Sequence, residues 1–265
     1  LDKAIAGCND VYQYSTPIEK TIVQGDATRA AGKPTKSYDY TDTGNGQRFA
    51  DTYENVIRYS GVHKRWYFWD GKRWEQDSTN EIRRLADTVL VQMKLEAFGE
   101  EDELKQKEAL KNVNRTASKK GKDSMIAESQ HLRKIAIAAD YFDQQKDMIN
   151  LANGVVNLRN GELTPHDSAL NMSRIGYAEF DPDPEKKPER WLQFLDEITG
   201  GDSELQRYLQ KAVGYSMGAS IREQCLFFCY GNGCNGKSTF VDVISTMMGT
   251  YGMNMQAESI MQRKN

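Results

Sequence analysis

The apolar hexapeptide CLFFCY, residues 225–230, runs without a break into GNGCNGKSTF, residues 231–240. Six apolar residues with no polar alternation form the pattern of a strand buried on both faces in a parallel sheet. G-x-x-x-x-G-K-S after such a strand predicts a phosphate-binding loop that opens a helix near Lys237. Strand, glycine loop and helix together constrain the fold more than any other stretch: they are the beginning of an α/β P-loop domain. Gly231 and Gly236 can take backbone angles closed to other residues, so the loop can wrap a triphosphate and aim consecutive amide N–H groups at its oxygens. The expected cradle is Gly231, Asn232, Gly233, Cys234, Asn235, Gly236, Lys237, Ser238 and Thr239. Lys237 is expected at the β- and γ-phosphates of ATP as the candidate catalytic residue, and the Ser238 hydroxyl on Mg²⁺. Thr239 is the candidate for the α-phosphate. The alternative, a glycine-rich turn with an unrelated lysine, does not account for the flanking elements.

Kinases, GTPases and motor ATPases all use such a loop. Small-molecule kinases often begin with it, whereas here about 230 residues precede it. After Ser238 the acids are Asp242, too close in sequence, and Glu258, in a polar stretch, so no metal-binding acid ends an apolar strand. Arg263 offers no arginine finger. Because the chain begins with Leu1 and places this loop late, a piece of a longer polypeptide is expected.

Upstream, residues 1–42 read as a linker or arm, with Pro17, Gly25, Gly32 and Pro34. From Gln47 the spacing of Phe49, Tyr53, Val56 and Ile57 predicts an amphipathic helix. KRWYFWDGKRWEQ predicts a β-hairpin turning at Asp70-Gly71. Ser78 and Glu81 form a capping box for a helix that faces Ile82, Leu85, Ala86, Val89 and Met93 inward. Further helices are expected over 102–115 and 123–140, with ASKKGKD as a basic loop between them. Asn160-Gly161 predicts a second hairpin over 155–164, and SRIGYAEF a strand.

DPDPEKKPER holds three prolines and predicts a boundary near 181–188. An accessory domain therefore spans 43–181, a proline-rich connector and helical lead-in 182–221, and the start of the P-loop domain 222–265. In the lead-in, Trp191, Leu195 and Ile198 mark a helix stopped by Gly200-Gly201. Ser203 and Gln206 box a second one whose Leu205, Tyr208, Leu209, Ala212 and Val213 face a core. The fold class is α+β, mostly helical with β-hairpins, leading into α/β.

With 38% hydrophobic residues in 265 the chain can bury one or two cores. No apolar run approaches the 18 or so residues of a membrane span, and the start lacks the pattern of an export signal. A net charge of −3 gives no global basic field, so DNA contacts would have to come from local patches. Cys8, Cys225, Cys229 and Cys234 lack zinc spacing and suit a reducing cytoplasm. Cys225 and Cys229 would share a strand face as buried thiols. Trp66, Tyr67, Phe68, Trp69 and Trp74, interleaved with Lys64, Arg65, Lys72 and Arg73, could stack single-stranded bases or pack a small core. Lys119, Lys120 and Lys122 could touch phosphates or be a solvated loop. His63, His131 and His166 are assigned no catalysis. Asp181, Asp183, Glu185 and Glu189 read as an exposed connector rather than a metal site.

Five stretches, in order, resemble the phage and plasmid type of primase-helicase of superfamily 3, related to the poxvirus primase-helicase: TDTGNGQRF, WYFWDGKRW, LANGVVNLRNGELTPHD, PERWLQFLDEITGGDSELQRYLQKAVGYSMGAS and FFCYGNGCNGKSTFVDVISTMMGTYG. The resemblance implies a DNA-dependent AAA+ ATPase and helicase, assembled as a homo-oligomeric ring, usually a hexamer, acting in replication on single-stranded or forked DNA with a primase upstream. It places Lys237 and Ser238 at the family's phosphate and metal positions, and the Walker B acids, sensor, arginine finger and pore hairpin beyond Asn265. Two other readings stay open: a non-catalytic DNA- or partner-binding module, and a small-molecule kinase.

Overall fold

TDTGNGQRFADTY opens the described fold as a helix, although glycines at 44 and 46 are poor helix formers. The computed structural model describes residues 36–183, 185–219 and 221–256. Helix α1 (Asp42–Tyr53) starts five residues earlier than the expected Gln47, because the Thr41 hydroxyl accepts the Gly44 N–H at 3.0 Å and caps it. Its glycines have a packing reason. A Cβ on Gly44 would lie 2.1 Å from the Asp39 carbonyl oxygen, and one on Gly46 2.5 Å from Glu128 Cβ. Of the expected arm, Asp42 begins this helix, residues 36–41 are irregular, and the earlier residues, Cys8 among them, lie outside the described residues.

The helix stops at Tyr53, so Val56 and Ile57 do not continue it; Ile57 begins β1 (Ile57–Ser60). β2 (Arg65–Trp69) and β3 (Trp74–Gln76) form the expected hairpin, with Trp69 opposite Trp74 and Gly71 at φ 96°. α2 (Glu81–Phe98) buries Ile82, Leu85, Ala86, Val89 and Met93 as its spacing predicts. The Ser78/Glu81 box is not its cap, because Asp77 reaches further: its carboxylate accepts the N–H groups of Thr79, Glu81 and Ile82. α3 (Glu103–Thr116) is capped by Asp102.

The expected basic loop is instead the first turn of α4 (Lys119–Ser129). Ser118 accepts the Gly121 N–H and caps it, and Gly121 is needed because a Cβ there would sit 2.4 Å from the Arg115 carbonyl oxygen. α4 stops near Ser129, well short of the expected 140, and β4 (Ala136–Ile137) then joins the sheet, parallel to β1. Sheet order is β3-β2-β1-β4. Phe49, Tyr53, Ile57, Leu85, Val89, Met125 and Ile135 form the centre of this core.

Contacts divide the chain into one unit ending at Phe142 and another beginning at Asp143. The expected boundary lay near 181–188. The difference has a physical cause: residues 150–177 are tied to the end of the described chain by bonds from Tyr177 N to Met247 O at 3.0 Å and Arg174 Nη1 to Thr250 O at 2.7 Å. The second unit opens with β5 (Met148–Leu151), β6 (Gly154–Asn157) and β7 (Leu163–Thr164), an antiparallel sheet that includes the expected Asn160-Gly161 hairpin. SRIGYAEF is not a strand; it bonds singly to the sheet, as from Gly176 N to Asn150 O at 2.8 Å.

α5 (Glu189–Thr199) ends at Gly200, φ 60°, as expected, and α6 (Ser203–Met217) is capped by Asp202 rather than by Ser203. No residue of α6 is buried, and Leu205 and Tyr208 are 42% and 56% exposed, against the expectation of a core-facing stripe. CLFFCY differs most. It is an exposed segment without strand pairing, with Leu226 at 69% and Phe228 at 76% exposure. A strand buried on both faces needs neighbours for its backbone groups and side chains, and none of the described strands lies alongside it. Cys225 and Cys229 are accordingly exposed thiols.

Candidate functional site

The glycine loop passes directly into α7 (Lys237–Met248), the helix start expected at Lys237. Gly231 and Gly236 have φ of 142° and 81°, the left-handed region that a side chain strains to enter, and Cys234 adopts φ 58° between them. Gly236 is required twice over. A Cβ there would lie 2.4 Å from Ile198 Cγ2 and 3.3 Å from Phe194, both on α5. Trp191 of α5 stacks on Phe240 of α7, ring centroids 5.6 Å apart, so the helix carrying the loop rests against α5.

The Lys237 ammonium turns back into the loop. It donates to the carbonyl oxygens of Gly231 at 3.1 Å and Asn232 at 3.0 Å, and to Asn235 Oδ1 at 2.5 Å. These oxygens gather the loop round one cation. Asn235 is a partner that the motif pattern, which leaves its position open, does not reveal. Ser238 and Thr239 are exposed on the first turn of α7, so their hydroxyls and the N-terminal amides of the helix are open to an anion or a hydrated cation. Cys234 is an exposed thiol at the loop's crest. Asp242, one turn on, is exposed within α7. Glu258 and Arg263 lie outside the described residues. The donor set fits a polyphosphate and its Mg²⁺.

The remaining candidates fall apart from this loop. The aromatic hairpin packs on both faces: Trp66 and Phe68 join the first core, while Trp69 lies 5.9 Å from Trp74 and Tyr67 4.8 Å from Phe142. The core role thus accounts for most of its rings. Lys122 pairs with Asp87 at 2.7 Å, while Lys119 and Lys120 are exposed. His166 Nε2 lies 2.8 Å from the Leu151 carbonyl oxygen, a bond that holds the loop after β7 to the sheet. Among the described residues no group of three His, Cys, Asp or Glu is placed to hold a metal, and Asp181 bonds to Lys186 within the connector. Tyr251 lies against the β5–β7 sheet with its phenolic oxygen accepting the Asn150 N–H at 3.0 Å, and burial pushes its pKa up to about 12.

No helix among the described residues is long and apolar enough to cross a membrane. Comparison with curated proteins finds no match. Residues 46–200 match the family model described as D5 N terminal like, the N-terminal region of D5-like primase-helicase proteins. That region runs from within α1 through the rest of the first unit, the β5–β7 sheet and α5, and the chain belongs to the D5 N terminal like family.

Proposed function

We propose that the protein is an ATP-dependent DNA helicase of the primase-helicase type, working in phage or plasmid replication in the host cytoplasm, with residues from 222 onward opening its AAA+ motor. One observation carries the reading: a D5 N terminal like region ending at residue 200 is followed, from Gly231, by a glycine loop whose lysine begins a helix. Neither half alone would distinguish a motor from a kinase.

In this reading the amides of residues 231–236 and the N-terminus of α7 hold the triphosphate of ATP. Lys237 exchanges its three loop oxygens for β- and γ-phosphate oxygens, so the same residues that now fix its position orient it toward substrate. The Ser238 hydroxyl is the ligand offered to Mg²⁺, and Thr239 lies one residue on for the α-phosphate. When bound, the metal would neutralise charge that develops on the transferring phosphoryl group. Neighbouring subunits of a homo-oligomeric ring, a hexamer, supply the groups that complete the site, and a primase acts with it on single-stranded or forked DNA.

The test is Lys237→Ala in the full-length protein, which abolishes ATP hydrolysis and unwinding. Unwinding at the parent rate would refute the assignment. A second reading, a DNA- or partner-binding module without catalysis, is favoured by the unpaired state of residues 225–230. Calorimetric titration with ATP and Mg²⁺ separates the two, since the module would show no binding that depends on Lys237.

A further inference from the structure

Arg58 and Arg133 of the first unit line one open recess of about 300 Å³, and neither has a carboxylate partner among the described residues. Arg58 is held firmly. Its guanidinium lies over the Trp74 ring at 4.6 Å, and its Nη1 donates to the carbonyl oxygens of Glu54 and of Ile57, the latter at 2.7 Å. Carbonyl oxygens fix the group without cancelling its charge. Arg133 is exposed at the rim. Lys134 also lines the recess, held by Asp51 and by Glu54 at 3.0 Å. Three cations therefore face the recess against the one carboxylate of Glu54, with Asp51 behind Lys134 and Asp140 one residue before Tyr141.

The recess opens onto aromatic rings. Strand register puts Arg58 opposite Tyr67 on the face of the sheet that Ile57, Tyr59, Trp66 and Phe68 do not use. On that face Tyr67 packs on Phe142, and Tyr141, a lining residue, meets Phe142 edge-on with centroids 5.2 Å apart. Tyr141, Phe142, Tyr67 and Trp69 are all only half-buried. Fixed cations beside partly open rings are the combination that binds single strands, the cation taking a phosphate and the ring a base, because every base has a stacking face. An enclosed pocket would suit a free nucleotide; this open one lets a polymer pass.

We infer that the recess lined by Arg58, Arg133 and Tyr141 is a contact site for single-stranded DNA, taking one backbone phosphate on the two arginines and stacking the neighbouring base on Tyr141. The inference rests on the reading that this protein acts on DNA, but it places a strand on the first unit, on residues with no part in the nucleotide site.

The experiment is fluorescence anisotropy of a labelled oligothymidylate of about 12 nucleotides with the full chain, titrated over a range of salt. Arg133→Ala, at an exposed position, lowers the slope of log affinity against log salt by about 0.7, the value for one phosphate on a single strand. Tyr141→Ala weakens binding by at least about fivefold, and Tyr141→Phe restores it. Lys119→Ala with Lys120→Ala leaves slope and affinity as in the parent. Circular dichroism melts on each variant separate lost contact from lost fold. Parental affinity in both Arg133→Ala and Tyr141→Ala would overturn the site, as would oligonucleotide release by millimolar inorganic phosphate at constant ionic strength. If the parent chain binds no oligonucleotide the site is likewise overturned, and ATP binding on the same samples then shows whether the nucleotide reading stands by itself.

Discussion

The side-chain amides of Asn45 and Asn112 bond to each other in both directions, at 3.2 and 3.1 Å, across 67 residues of sequence. Both are buried, and Asn45 Nδ2 also donates to Thr116 Oγ1 at 2.8 Å. This polar link ties α1 to α3 within the first unit. Asn45→Ala takes the acceptor from the buried Asn112 Nδ2, while Asn112 Oδ1 keeps Arg115 and Thr116 Oγ1 keeps the Asn112 carbonyl, and costs about 1–3 kcal/mol. Asn45→Leu combined with Asn112→Leu costs less than the sum of the single changes, since both ends are removed together. Urea denaturation of the four proteins measures this, and strict additivity would show that the two amides do not depend on each other.

Two glycine positions respond in opposite directions to alanine. Gly46→Ala drives a methyl against Glu128 Cβ and the backbone at Ser129, so overpacking of about 1–3 kcal/mol outweighs the gain in helix propensity. Gly214→Ala on α6 meets nothing within 4 Å and stabilises by roughly 0.5–1 kcal/mol. Thermal melts of the two variants should move apart on either side of the parent.

Cys234 reports occupancy of the loop. In a Cys8→Ser, Cys225→Ser, Cys229→Ser background, ATP with Mg²⁺ at ten times its dissociation constant slows alkylation of Cys234 by about tenfold, following the fraction of protein left free. Mass spectrometry of the labelled peptide gives the rate. Equal labelling with and without nucleotide would place the ligand elsewhere.

Tyr251 gives the second unit an alkaline limit. Burial holds its phenol neutral up to about pH 12, against an ordinary 10.0 in the unfolded chain. Between those values the unfolded state gives up its proton and the folded state keeps it, so stability is complete below pH 10 and falls as pH rises toward 12. Tyr251→Phe removes this part of the decline. Denaturant midpoints at about pH 9, below that window, and about pH 11, within it, provide the check.

Much of the local structure was legible from spacing and turn chemistry. Asp70-Gly71 and Asn160-Gly161 mark real hairpins, the stripe from Ile82 to Met93 is buried, and α7 begins at Lys237. What was not legible depends on distant partners. TDTGNG lacks a helical signature because glycine weakens helices, yet Gly46 is small so that Glu128, 82 residues later, can approach. Val56 and Ile57 keep helical spacing with Phe49 and Tyr53, and only pairing with Phe68 of β2 makes a strand at Ile57. Asp77 took the capping role from Ser78 because a carboxylate can accept three amides. At the candidate site the pattern located the loop and its two special glycines, whereas Asn235 as partner of Lys237, and α5 as the surface under Gly236, depend on how the chain folds back on itself.

The open state of residues 225–230 has a consequence for how the protein behaves in solution. Leu226, Phe228 and Tyr230 stand 69%, 76% and 91% exposed beside backbone amides that no described strand engages. Such a segment is a template for pairing between molecules. Concentrating this chain should therefore drive reversible self-association through 225–230 unless that segment is covered, and Phe228→Lys, which puts a charge in its middle, should keep it monomeric to higher concentration in sedimentation velocity.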